Sequence, residues 1–151
     1  MDFTIYALKG SSEWFDILPS LQNGEGRFGW SYIETADLRE LKKRVDEKGW
    51  NSLTEEEKDC YQVFLLDFKA GDYVVYINVP EWGKCTVAKV TGHYQWKFED
   101  DDFNHRFPVD PNTVYVFERN DTSVHPALRS RTDKEPLMIW KKRELKELNI
   151  L

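Results

Sequence analysis

Cysteine and histidine are scarce in this sequence, at two and three residues in a chain of 151. Cys60 and Cys85 stand far apart with no CxxC spacing. That excludes a disulfide-stapled scaffold and leaves buried free thiols in a reducing compartment as the expectation. His93, His105 and His125 lack metal-ligand spacing to one another or to the cysteines, so no zinc site is expected. Long apolar runs are missing as well. No stretch approaches the roughly 18 residues needed to span a bilayer, and the start MDFTIYALKG shows no basic region leading into an apolar one. A cytoplasmic protein without membrane contact is the expectation.

Positive charge is also in deficit. The net charge is −6 and the pI about 5.1, which excludes bulk electrostatic attraction as the basis of any nucleic-acid binding. A pocket with a local basic rim stays open, because the segment from Pro126 to Leu151 carries a positive excess in an otherwise acidic chain. Catalytic signatures are absent too: there is no GxGxxG, Walker A loop, HExxH or GxSxG. The acidic runs Glu99–Asp102 and Asp133–Glu135 read as polar turns rather than as a divalent-metal nuclease site. Neither an enzyme nor a cofactor is expected.

What the chain does have is aromatic material, 15% of its residues with six tryptophans. Such rings dominate cores but also form base-stacking platforms. The length suits one domain spanning residues 1–151. A strand is expected over Phe3–Leu8 and another over Gly29–Ile33, joined by a turn-rich loop with Pro19, Asn23, Gly24 and Gly26. Leu38, Leu41 and Val45 share one helical face after an N-cap at Thr35, with Gly49 as the stop. Thr54 and Glu57 form a capping-box pattern, and Tyr61, Phe64, Leu65 and Phe68 continue as the apolar stripe of a second helix ended by Gly71. Tyr73–Val79 and Cys85–Thr91 then read as a hairpin around Trp82-Gly83-Lys84. Tyr94–Phe98 follows, beyond a bulge at Gly92. His105–Val109 and Val114–Glu118 are expected as two further strands. Met138–Trp140 and a short helix around Arg143–Leu148 close the chain. The pattern predicts an α+β domain whose sheet curls into a small barrel with flanking helices.

Two clusters stand out. Gly29-Trp30-Ser31-Tyr32 ends a strand after a glycine-rich approach, so a ligand can come close to the backbone. Thr91 to Val109 interleaves Tyr94, Trp96, Phe98 and Phe103 with Asn104, His105 and Arg106. In a strand Tyr94, Trp96 and Phe98 share a face, opposite His93, Gln95 and Lys97. Core packing is the simpler reading of both clusters, while an aromatic wall ending in Asn, His and Arg also suits stacking on a base and reading its edge and a nearby phosphate.

Taken in order, three stretches resemble the PUA-like superfamily, specifically its EVE/YTH-like branch, found in modification-dependent restriction systems of the McrBC type. They are Gly26–Trp30 with the helix after it, Phe68–Val75, and Val90–Tyr94 followed by His105–Val109. The resemblance implies a domain that captures a flipped, methylated base in an aromatic pocket. It implies Trp30 as one wall with Ser31 at the base edge, and Tyr94 or Trp96 as the other wall. His105 and Arg106 match the family's H-R pair, either as structural residues or, with Asn104 as the cluster itself suggests, as edge or phosphate contacts. Modified DNA is the expected partner, together with a motor or nuclease effector. An RNA-binding PUA-like module and a protein-interaction domain without a pocket are the alternatives.

Overall fold

The computed structural model describes residues 3–9, 15–121 and 137–141. Among them are seven strands in one sheet: β1 Thr4–Lys9, β2 Glu25–Phe28, β3 Tyr73–Ile77, β4 Lys84–Val90, β5 Gln95–Trp96, β6 His105–Glu118 and β7 Leu137–Lys141. The helices are α1 Ile17–Gln22, α2 Leu38–Lys48 and α3 Glu55–Asp59, with 3-10 turns at Trp50–Ser52 and Val63–Asp67. Strand order is β2-β6-β4-β3-β1-β7, with β5 also paired to β6. Only β1 and β3 run parallel among the described pairs. The result is a mixed α+β protein whose sheet curls into a half-barrel.

Alternation along the strands buries the sheet on both faces. Val74 and Tyr76 of β3 face a cluster with Ile17, Leu21, Leu38, Leu41, Leu65 and Phe68 from the helical segments. Tyr73, Val75 and Ile77 face a second cluster with Ile5, Cys85, Val87 and Phe117. Each such side chain contributes roughly 1.5–3 kcal/mol of burial. Both cysteines are buried, and neither is in a disulfide.

Several local readings shift by a few residues for identifiable reasons. The second strand lies at Glu25–Phe28, ahead of its expected place. There Gly26 faces Phe107, whose ring leaves no room for a side chain: a Cβ on Gly26 would fall 2.0 Å from it. Trp30, at φ 53, then breaks the extended path expected to continue to Ile33. The loop before it contains α1, which tolerates Pro19 because a first-turn N–H has no helical acceptor to lose. The cap of α2 is Asp37, whose carboxylate accepts from the Arg39 N–H, rather than Thr35. The capping box of Thr54 and Glu57 is present. Its helix nevertheless stops at Asp59, and Val63–Asp67 forms a 3-10 turn. Spacing of three satisfies that tighter helix as well, so Leu65 and Phe68 still reach the core together.

Two expected strands prove to be the single long β6. Its Asp110-Pro111-Asn112 keeps a turn inside the strand. Asp110 accepts from the Asn112 N–H, and Thr113 Oγ1 accepts from the Lys89 N–H opposite, where the register shifts. On the same edge of β6, β5 continues β4 past Gly92, where a Cβ would meet the Pro108 ring at 2.9 Å. β2 takes the other edge. Tyr76 closes part of the free side of β2: its hydroxyl accepts from the Arg27 N–H at 3.1 Å and donates to the Arg27 carbonyl at 2.5 Å. The expected Arg143–Leu148 helix, His125 and most of the basic Pro126–Leu151 segment lie outside the described residues.

Candidate functional site

The turn after β2, the short β5 and the start of β6 converge on His105. This ring is fully buried. Its Nε2 lies 2.9 Å from the Trp30 carbonyl oxygen. A carbonyl only accepts, so Nε2 carries the proton and Nδ1 is bare. The Tyr94 hydroxyl donates to Nδ1 at 2.8 Å and itself accepts from the Leu38 N–H at 3.2 Å. Burial holds the imidazole down to about 4 and pushes the Tyr94 phenol up from its ordinary value. His105 is therefore a neutral tie between α2, β5 and the backbone of Trp30.

A second polar knot lies beside it. Ser31 is fully buried and donates from both N and Oγ to Asp102 Oδ1, at 2.8 and 3.0 Å. Its Oγ accepts from the Asn104 N–H at 2.6 Å, and its carbonyl accepts from Asn104 Nδ2 at 2.9 Å. Asn104 Oδ1 takes the N–H groups of Glu99 and Asp100, both at 3.0 Å. Arg106 donates to the Lys97 carbonyl, to Glu25 and to Glu99. Across the strand pair, Arg27 donates to the Phe103 carbonyl, Glu25 and Asp100, and lies over the Phe15 ring. Glu25 Oε1 serves both guanidinium groups, which offsets two like charges placed directly opposite each other.

The structure thus gathers Ser31, Asn104, His105 and Arg106 into one region, with their polar groups engaged inside the protein. The rings behave differently. Trp30 is 40% exposed on left-handed backbone, a conformation that costs a residue with a side chain roughly 1–2 kcal/mol. Its indole touches the Phe28 ring at 5.8 Å between centroids. Tyr32 is 38% exposed, and its hydroxyl donates to Asp59 Oδ2 at 2.9 Å. That bond raises the phenol to about 12. Trp96 is half-buried, 5.5 Å from the His105 ring and stacked on the exposed Phe98 at 6.2 Å. Tyr94 is buried. The expected ladder of three rings therefore runs from the interior outward.

Sequence reasoning passed over Asp102, which accepts from Ser31 twice and from the Phe103 N–H. It also passed over the Arg27–Glu25–Arg106 link. Both join residues distant in the chain, and the run of four acidic residues offered no sign that one of them was an organiser. A cleft of about 480 Å³ is lined by Phe15, Asp16, Pro19, Ser20, Asn23, Glu25 and Arg27. It shares the arginine knot with this region but not the rings. Among the described residues, no group of three or more His, Cys, Asp and Glu side chains is arranged to hold a metal ion. None of the described helices is long and apolar enough to cross a membrane.

A family model described as "Domain of unknown function (DUF8426)" matches residues 17–111. That span runs from α1 into β6 and contains the whole of the cluster around His105. Comparison with curated proteins and with solved structures gave no match.

Proposed function

We propose that this chain, which belongs to the DUF8426 family, is a nucleic-acid-binding domain that captures a flipped base against the indole of Trp30. In this reading it is a PUA-like module of the EVE/YTH kind, without catalysis of its own. It acts in the cytoplasm as the specificity part of a defence or restriction system, beside a motor or nuclease effector. Methylated DNA is the preferred ligand.

One observation carries the reading. Trp30 is a large ring on strained backbone, turned outward while its carbonyl is gripped by a buried histidine. Core packing does not explain such a residue, since the core would gain by taking the indole in. Strain of this kind concentrates at functional sites. Trp96 and Phe98 add ring faces from the other side of His105. Ser31 and Asn104 support the reading as a bonded frame next to Trp30, and Arg106 as a tie to the Lys97 carbonyl beside Trp96, rather than as groups that read a base edge. Stacking contributes roughly 1–3 kcal/mol per base, comparable with the few kcal/mol of extrusion. A methyl adds about 0.8 kcal/mol.

Fluorescence anisotropy with labelled DNA and RNA oligonucleotides, methylated and not, tests it. Trp30→Gly should weaken binding about ten- to a hundredfold while leaving the urea midpoint nearly unchanged. In that variant the relieved left-handed strain, ~1–2 kcal/mol, roughly offsets glycine's entropy and the lost Phe28 contact. Unaltered binding removes Trp30 from the site. Preference for RNA over the same DNA sequence assigns the module to RNA.

A further inference from the structure

We propose that the base received on Trp30 carries a positive charge, as adenine alkylated on N1 or guanine alkylated on N7 does. The inference rests on the base-capture reading and names its ligand class. Trp30 and Tyr32 are exposed on either side of the inward-turned Ser31. One carboxylate is bonded to the Tyr32 ring, and a second lies against the backbone on either side of Trp30. Asp59 accepts from the Tyr32 hydroxyl at 2.9 Å. Asp102 accepts three donors on Oδ1, while its Oδ2 lies 3.4 Å from where a Cβ on Gly29 would stand, alongside the backbone leading into Trp30.

The cations nearest these carboxylates in sequence are engaged elsewhere. In α3, Lys58 pairs with Glu55, and ahead of the acidic turn Lys97 pairs with Glu99. Arg27 and Arg106 lie buried behind the turn, sharing Glu25. A neutral base on this indole gains stacking alone, and nearby phosphates are repelled. A cationic heterocycle gains the attraction of the indole face as well, and tryptophan is the strongest of the rings in this respect. The neighbouring carboxylates act in the same direction. Charge thus distinguishes ligands where the polar atoms of Ser31 and Asn104, engaged with each other, do not.

The test compares isomers, so that size and stacking area are matched. Single-stranded DNA containing one 1-methyladenine, which is cationic at neutral pH, is titrated against the same strand containing N6-methyladenine and against unmodified strand. The 1-methyladenine strand should bind roughly tenfold tighter than its neutral isomer. Asp59→Asn, an exposed substitution, should shrink that gap, and added salt should shrink it too. Equal or tighter binding of the N6-methyladenine strand overturns the charge inference and leaves base capture standing. Absence of Trp30-dependent binding to any strand overturns both. So does Trp30-dependent binding of a trimethyl-lysine peptide in place of the strands, which assigns the face to a protein partner.

Discussion

His105 makes the stability of this domain depend on pH in a window where few other groups act. Folding places the buried ring where Nε2–H meets the Trp30 carbonyl and Nδ1 meets the Tyr94 hydroxyl. Burial holds its pKa down to about 4, against about 6.5 for an unfolded histidine. The unfolded chain therefore binds the proton first. The stabilisation is fully present above about pH 6.5 and is lost as pH falls from there toward about 4. The difference amounts to about 3 kcal/mol over the whole window. Between about pH 7 and about pH 5.5 the loss is about 1 kcal/mol, and most carboxylates remain ionised across that interval.

Urea denaturation of the wild-type chain and of His105→Gln at these two pH values measures it. The glutamine keeps a nitrogen able to donate toward the Trp30 carbonyl but does not titrate. The wild type should lose about 1 kcal/mol more than the variant on acidification, with matching slopes in denaturant. An equal loss in both proteins would show that His105 is not held neutral, and the reasoning from its two hydrogen bonds would fail.

Two further substitutions test the frame behind the rings. Tyr76→Phe removes the hydroxyl that bonds both the N–H and the carbonyl of Arg27, and should cost about 2 kcal/mol in urea denaturation because two inward backbone groups lose their partner. A loss below about half a kcal/mol would mean that β2 does not rely on that hydroxyl. Gly26→Ala drives a methyl into the fully buried Phe107 ring, and should cost about 3 kcal/mol or prevent folding; a melting temperature within a degree or so of wild type would contradict the register of β2 on β6.

Elements whose signals are local were legible in the chain. α2 shows its stripe and its Gly49 stop, the second cap shows Thr54 and Glu57, and the β3–β4 hairpin shows its alternation. What stayed hidden depends on partners far along the chain. Gly26 looks like turn material until Phe107 is set across from it. Asp110-Pro111-Asn112 carries every mark of a strand end, yet the β4 backbone on one side supports it as an irregularity within β6. The aromatic spacing from Tyr61 to Phe68 fits an α-helix and a 3-10 turn alike, and tertiary packing decided between them. The two clusters singled out by composition do meet, through His105 on the Trp30 carbonyl and through Asp102 and Asn104 on Ser31, ties that have no sequence signature.

That meeting limits how the proposed base capture could work. His105 and Arg106 are adjacent on β6 and so turn to opposite sides, the first gripping Trp30 and Tyr94, the second gripping Glu25 and Glu99. Ser31 and Asn104 are bound to each other. Reading a base edge through these groups would first require breaking bonds that hold the outward ring in place, at roughly 1–3 kcal/mol for each buried group left unpaired. Loss of those bonds would also release the strained backbone of Trp30. On the proposed reading, discrimination on this face comes from ring area, shape and charge, which act without disturbing the frame.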